Sequence, residues 1–458
     1  MKTTTRHLRI LLPLLALVLL QNCKSYKDPA STEELVDQAI ENNFEVPEFW
    51  EASNDTAAVS DNWYKNFNDP KLAGLVEEAV DSTNLSIVYQ LALIEQNKAM
   101  RDLAQSGKRV QIGYGADYAG LSTTTGTDKY GLAVGGGIAW EADLWGRIEA
   151  GILSADENLK ASIYNYSFTK QSIAATTSKL YFTIGTLNNA IAVGEDFIEV
   201  NDRIKEILSV REEVGIIDMK EVYLIGAQIA SINNLIQDYN DEVQISTRQL
   251  EVVLGRYPEN QLQVDWLPQD IAKIDAIGNP FQLIERRPDL KRDESVVRSK
   301  FYLSEEARLL KYPNLVLSAD IGFSTISDLI FGTGGSFFGP IYTGGAIDAQ
   351  IESANAEQRQ ALMTYGLSLL NAFNEVETAL GSESFLREQQ RFVIDAIDES
   401  KHAYELMVEQ YKVGKVSLFE VLQTQMQWLR KELDLIAING ELYQRRVDLY
   451  LALGGDIN

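Results

Sequence analysis

Apolar positions recur every three to four residues over most of the chain, which predicts helices, while shorter stretches alternate apolar with small or polar residues, which predicts strands. The helical spacing covers Leu72 to about Lys108, then Arg147 to about Val210 with a return to Leu254, and in the second half Asp289 to about Lys311 and a long pair ending at Leu453. Alternation covers Gln111 to Thr124, Tyr130 to Glu141 and Leu315 to Ser324. One face of the second strand carries Leu132, Val134, Ile138 and Trp140, and the other carries Ala133, Gly135, Gly137, Ala139 and Glu141. In the same way Leu315, Leu317, Ala319, Ile321 and Phe323 alternate with Val316, Ser318, Asp320, Gly322 and Ser324. Segments of about ten residues with one apolar and one small or polar face suit a membrane β-barrel, where closure must pair every backbone group. A soluble hairpin is the other reading, but the flanking helices are too long to cover one.

Proline agrees with this division. None lies between Lys71 and Tyr257 and none follows Pro340, whereas Pro258, Pro268, Pro280, Pro288 and Pro313 crowd the middle. Because an interior proline costs about 3 kcal/mol, the free stretches can carry long helices; Arg147 to Val210 alone spans about 95 Å at 1.5 Å per residue.

The two halves repeat at a fixed offset of 199 residues. Gly146, Ile148, Ala150 and Ile152 return as Gly345, Ile347, Ala349 and Ile351, and Val214-Gly215 returns as Val413-Gly414. Glu221-Val222 recurs as Glu420-Val421, and Leu254-Gly255 as Leu453-Gly454. Each inserted residue turns everything after it by about 100° around a helix, so a gap-free repeat implies paired helices of matched length. Each half reads helix, β-hairpin, long helix, tip, returning helix. The expected division is 1–22 signal, 23–70 anchor and linker, 71–257 first repeat, 258–288 inter-repeat linker and 289–458 second repeat.

The N-terminus changes the picture. Lys2, Arg6 and Arg9 precede an apolar run from Ile10 to Leu20, too short for a membrane span and typical of a signal peptide. Cys23, the single cysteine, follows where such a peptide is cut; with no disulfide partner it is a candidate lipid attachment point. The net charge of −25 argues against nucleic acid, which needs a basic face. Catalytic chemistry is not expected: His7 lies in the signal and His402 in a charged helix, and neither has the neighbours of a triad or a metal site. No enzyme activity, metal or cofactor is expected. The Gly131–Gly137 stretch lies in an alternating strand and lacks the helix start of a phosphate loop. The glutamates Glu221 and Glu420, each just after a tip glycine, have no evident local role and could form an acidic ring on a pore axis.

The motifs that remain carry a resemblance. Trp63 to Leu72 (WYKNFNDPKL), Trp140 to Arg147 (WEADLWGR), Arg286 to Leu290 (RRPDL), Ala372 to Leu380 (AFNEVETAL), Tyr411 to Gly414 (YKVG) and the terminal Leu453-Gly454-Gly455, in this order on a duplicated frame, resemble the outer membrane efflux factor family, the TolC and OprM type of channel. The resemblance implies a mainly α fold with a membrane β-barrel: a homotrimer whose subunits each lend four strands to a twelve-stranded barrel and their helices to a periplasmic α-helical barrel. It implies outer-membrane localisation with a lipid anchor on Cys23, and as partners a periplasmic adaptor protein and an inner-membrane RND-type pump. By position, Glu420, Tyr411 and Glu221 match the periplasmic gate, and Val214, Gly215, Ile216, Val413, Gly414 and Lys415 match the tip that meets the adaptor. The implied function is a passive exit duct for drugs or other small toxic compounds. Alternatives are a secretion or metal-efflux duct, or a non-conducting structural envelope lipoprotein. Only Ser324 to Gly344 remain for the last loop and fourth strand, so that strand is expected to fall short of the 9 to 11 residues of a span.

Overall fold

The computed structural model describes residues 25–40, 46–51, 61–122, 128–268, 271, 277–325 and 328–457. Cys23 and the signal segment lie outside the described residues. In chain order the elements are α1 (Thr32–Ile40), α2 (Pro70–Ala79), α3 (Leu85–Ser106), β1 (Gln111–Ser122), β2 (Asp128–Ala142), α4 (Arg147–Glu213) and α5 (Met219–Val253). There follow α6 (Pro280–Arg286), α7 (Pro288–Leu309), β3 (Asn314–Ser324), β4 (Asp328–Phe338), α8 (Ala346–Lys412) and α9 (Leu418–Ala452). The repeat is kept to the residue in the long pairs, where α4 and α8 have 67 residues each and α5 and α9 have 35 at the offset of 199; α3 and α7 match in length, at 22 residues each, but lie 203 apart.

One predicted helix is broken. The helix expected from Leu72 to Lys108 divides at 80–84, between α2 and α3. Asp81 Oδ1 accepts from both the backbone N–H and the hydroxyl of Thr83, at 2.9 and 2.8 Å, and Asn84 Oδ1 accepts from the Ser86 N–H at 2.9 Å. These side chains replace the intrahelical bonds with a turn and a new helix start; no proline is needed.

The chain divides into two compact units. The first comprises Met1–Glu45, Gln90–Asn165 and Asp289–Leu369 and holds the sheet, a four-stranded antiparallel meander in the order β1-β2-β3-β4. Its register pairs Ile138 with Ile112 and Ala319, and Val134 with Ala116 and Phe323. Ile321 pairs with Phe331, and Leu315 with Phe337. Every apolar set predicted separately therefore shares one face, which carries exposed Ile112, Tyr114, Leu132, Phe323, Leu329, Phe331 and Phe337. The opposite face carries Gly113, Gly137, Asp320 and Gly332 in one row and Gly115, Gly135, Gly322 and Ile330 in the next. The expectation of a truncated fourth strand is corrected: β4 has 11 residues, because only three residues of the sequence separate Ser324 from Asp328. Ile341 lies beyond its end.

At the strand-to-helix junction of this unit, Asp143 accepts from the N–H groups of Ile148 (3.1 Å) and Glu149 (2.8 Å), starting α4. Trp145 donates from Nε1 to the Pro313 carbonyl at 2.7 Å and stacks on Tyr312, while Arg147 pairs with Glu141 at 2.9 Å. The described N-terminal residues run along α7: Arg308 Nη2 donates to the Ser25 carbonyl at 2.9 Å, and Tyr26 packs edge-on to Tyr302.

The second unit comprises Val46–Tyr89, Tyr166–Pro288 and Leu370–Asn458. Its core is built from α4, α5 and α9 in successive clusters, Phe197, Ile232, Ile236 and Leu429 in one and Leu208, Val222, Ile225, Leu418 and Leu422 in another. Among the described residues no helix is long and apolar enough to cross a membrane.

Candidate functional site

The two tips are built alike. After α4 the chain turns at Gly215 (φ 74°), whose N–H donates to the Glu212 carbonyl, while the Ile216 N–H reaches the Arg211 carbonyl, both at 2.8 Å. After α8 it turns at Gly414 (φ 73°), with Gly414 N–H to Tyr411 carbonyl and Lys415 N–H to Gln410 carbonyl, both at 2.9 Å. This pair of bonds closes a helix on a left-handed residue and favours glycine, because any Cβ strains that conformation. No atom lies within 4 Å of where a Cβ would stand at either glycine, so the requirement is conformational. Val214, Ile216 and Val413 are exposed large apolar side chains, and Lys415 is exposed beside them.

The helices that leave the tips begin differently. Ser417 caps α9: its hydroxyl accepts from the Glu420 N–H at 3.4 Å, and Glu420 Oε2 accepts from the Ser417 N–H and hydroxyl at 2.7 and 2.9 Å. This reciprocal capping box satisfies two otherwise orphan donors. The backbone N–H and then the hydroxyl of Ser417 hold the Glu420 carboxyl below its ordinary range. The expectation that neither tip glutamate has a local role is therefore corrected for Glu420: Ser417-Leu418-Phe419-Glu420 is a capping pattern readable in the sequence.

α5 is capped by Asp218 alone, whose Oδ1 accepts from the Lys220 N–H at 2.9 Å. Glu221, at the same helical position as Glu420, instead accepts a hydrogen bond from the Tyr411 hydroxyl at the end of α8. The Tyr411 ring packs on the Leu208, Val222, Ile225, Leu418 and Leu422 cluster, and burial followed by the Glu221 carboxylate pushes its hydroxyl up to about 12. The residue that precedes Tyr411 by one repeat is Glu212, which has no hydroxyl to offer. The fold thus brings Tyr411 and Glu221 into contact and engages Glu420 separately, so the duplicated tips differ in chemistry.

Other motif residues meet in the second unit. Trp63, fully buried, stacks on Tyr450 at 5.4 Å, and Asn66 Nδ2 donates to the Tyr450 hydroxyl at 3.2 Å. Arg287, also buried, donates from Nη1 to Glu375 at 2.6 Å and to the Ala452 carbonyl at 3.1 Å. A Cβ on Gly455 would stand 2.8 Å from the Trp63 ring. The WYKNF, RRPDL, NEVE and LGG motifs are therefore parts of one packed joint.

Two buried ionic devices had no signal in the sequence: one joins Glu383 to Arg446, 63 residues on, and the other joins a carboxylate to backbone N–H groups, which any residues would supply. Arg446 donates to Glu383 at 2.6 Å, and Arg387 pairs with the same carboxylate. Glu251 accepts from the N–H groups of Asn260, Gln261 and Leu262, at 2.8, 2.8 and 3.2 Å. Burial pushes the Glu251 carboxyl up, but these three backbone bonds and Arg256 leave it below its ordinary range. Among the described residues no group of His, Cys, Asp and Glu could hold a metal ion.

The family profile described as outer membrane efflux protein matches residues 80–256 and 279–455, two blocks set apart by the same 199 residues as the internal repeat. The chain is 24% identical over 414 residues to the pyoverdine export outer membrane protein OpmQ of Pseudomonas aeruginosa, covering 86% of this chain and 87% of that one. It is 20% identical over 420 residues to the multidrug resistance outer membrane protein MdtP of Escherichia coli K12, covering 86% of each. Among solved structures, the CmeC outer membrane channel of Campylobacter jejuni superposes with a TM-score of 0.83 at 22% identity, over 95% of this chain and 96% of that one. The outer-membrane channel OprN superposes at 0.81 and 22% identity, over 91% of this chain and 99% of that one. With the repeat, the four-stranded sheet and the paired long helices matched across two blocks of its length, this chain belongs to the outer membrane efflux protein family.

Proposed function

We propose that the protein is the outer-membrane exit duct of a tripartite efflux system, a homotrimer that passes small toxic compounds outward without making or breaking a bond. The observation that carries this reading is the sheet: four antiparallel strands of 11 to 15 residues with one apolar face and one glycine-rich face. Strands of 9 to 11 residues suffice to cross a bilayer. Within one chain β1 and β4 each leave an edge unpaired, which lipid does not tolerate. Pairing β4 of one subunit with β1 of the next satisfies both edges, and three subunits give a twelve-stranded barrel with the apolar face toward lipid.

In this reading the paired helices line a periplasmic tunnel. The exposed tips Val214-Gly215-Ile216 and Val413-Gly414-Lys415 meet the adaptor, which couples to an inner-membrane RND-type pump. The Tyr411–Glu221 contact holds the tips together, and Glu420, in the first turn of α9, is the gate carboxylate. Cys23 carries the lipid; Ser25, two residues on, is held by Arg308, itself six residues before the membrane strand β3, which supports an anchor at the membrane end of the subunit.

Single-channel conductance of the purified lipidated protein in planar bilayers tests the proposal, with native mass spectrometry reporting the assembly. Discrete currents from a trimer are expected. A trimer that inserts but stays silent even as the Tyr411→Ala variant is a structural lipoprotein and not a duct.

A further inference from the structure

Between the two apolar clusters of the second unit lies one polar layer. On α4, Asn201 follows Phe197 of one cluster and precedes Leu208 of the other; on α5, Gln228 lies between Ile225 and Ile232; on α9, Gln425 lies between Leu422 and Leu429. The helix register places them together. Thr186 of α4 lies against Gly440 of α9, Gln444 Nε2 donates to Thr183 at 3.1 Å, and Lys179 pairs with Asp448. Continued along these antiparallel helices, the same register sets Asn201 opposite Gln425. On the other side, Gly194 of α4 faces Ile236 of α5 and Lys205 reaches Gly226, which sets Asn201 level with Gln228 and Ile229.

Asn201 is fully buried and Gln425 is 1% exposed. Both amide atoms of Asn201, the Nε2 of Gln228 and the Oε1 of Gln425 are buried without a hydrogen-bond partner. A buried amide without a partner is costly, and native folds rarely leave one. The orphans are complementary: Gln228 lacks an acceptor, Gln425 lacks a donor, and Asn201 lacks one of each. The arrangement in which these atoms are unpaired is the one in which Tyr411 is bonded to Glu221.

We propose that Asn201, Gln228 and Gln425 form a latch for a second packing of α5 and α9 against α4. In that packing Gln228 Nε2–H donates to Asn201 Oδ1 and Asn201 Nδ2–H donates to Gln425 Oε1. The two-bond ladder forms as the Tyr411–Glu221 contact is released, so the tip exchanges one set of hydrogen bonds for another and has two defined states. The duplication reproduces only one member of the layer: Gln228 returns as Gln427, but one repeat on Asn201 corresponds to Ser400, and one repeat back Gln425 corresponds to Gly226. The conductance readout rests on the exit-duct reading; a structural readout does not.

The test uses the full-length trimer with Tyr411→Phe to release the tip, alone and combined with Asn201→Leu or Gln425→Met, which keep the buried volume. One amide bond shifts a two-state ratio by roughly fivefold and two by roughly thirtyfold, so in each subunit Asn201→Leu, which removes both bonds, lowers the open-to-closed ratio by about thirtyfold and Gln425→Met, which removes one, by about fivefold. Spin labels at Ile216 and Lys415 should show a second distance population in Tyr411→Phe that disappears in either combination. An unchanged ratio with the second population retained overturns the latch and leaves a layer that only sets helix register. If Asn201→Leu fails to assemble, Gln425→Met decides alone. If no channel conducts even with Tyr411→Phe, the duct reading falls and the label distances still decide the latch.

Discussion

Replacing Tyr411 by phenylalanine removes one hydroxyl and leaves the ring in its apolar cluster, so the variant isolates the bond to Glu221. A hydrogen bond to a charged acceptor contributes about 1.5–3 kcal/mol, and the lower end suits this partly exposed pair. That is a factor of about ten in the closed-to-open ratio of each tip, and about a thousand if three symmetry-related tips release together. Planar-bilayer recording at neutral pH measures it as the fraction of time spent above the resting conductance. Glu221→Ala should match Tyr411→Phe, and the double variant should add little to either, since both remove the same bond. The hydroxyl is pushed from 10.0 to about 12. A raised tyrosine pKa contributes stability that is fully present below about pH 10 and is lost as pH rises through about 12. Between pH 7 and 9 the resting conductance should therefore show no step from this group. Resting conductance of Tyr411→Phe within twofold of the wild type would remove the contact from the gate.

Four further outcomes are expected. Glu251→Gln should lower stability by about 1.5–3 kcal/mol through weakened bonds to the 260–262 backbone, read by denaturant unfolding; because its folded pKa is lowered, that contribution is present above the ordinary pKa of 4.5 and fades as pH falls through the folded value. Gly135→Ala should impair assembly, since a Cβ there meets the Ile321 carbonyl oxygen at 2.7 Å, whereas Gly113→Ala meets nothing within 4 Å and should assemble normally; resistance of the trimer to detergent gel analysis separates them. Gly414→Ala should cost about 1–2 kcal/mol for a left-handed residue, seen as earlier protease cleavage between Lys412 and Ser417. Cys23→Ala should abolish incorporation of labelled palmitate while leaving trimer formation intact.

The long helices were legible because each is fixed locally, by apolar period and by the absence of proline between Lys71 and Tyr257. The strand faces were legible for the same reason, since Leu132, Val134 and Ile138 alternate with small residues whatever their partners are. The break at 80–84 was not, because it depends on Asp81 and Asn84 bonding nearby backbone groups in a stretch whose apolar period continues. The length of β4 was not legible, because it depends on how few residues separate the strand from β3, and only three do. At the tips, the pairing of Tyr411 with Glu221 came from the resemblance; nothing in the spacing of two residues on different helices reveals it. The Ser417–Glu420 capping box, by contrast, is written in four consecutive residues and is legible without any partner from another helix.

The two tip glutamates show how a duplicated part acquires a second occupation. Both stand in the first turn of a helix, where a carboxylate can help to cap. In the second half serine and glutamate do that work together, so Glu420 is committed. In the first half the aspartate at the cap suffices by itself, which releases Glu221 to bind a tyrosine on a different helix. Two differences between the copies, Asp218 against Ser417 at the cap and Tyr411 against Glu212 at the helix end, thus turn a redundant copy into a clasp and make two like hairpins unequal; a partner docking on both can tell them apart.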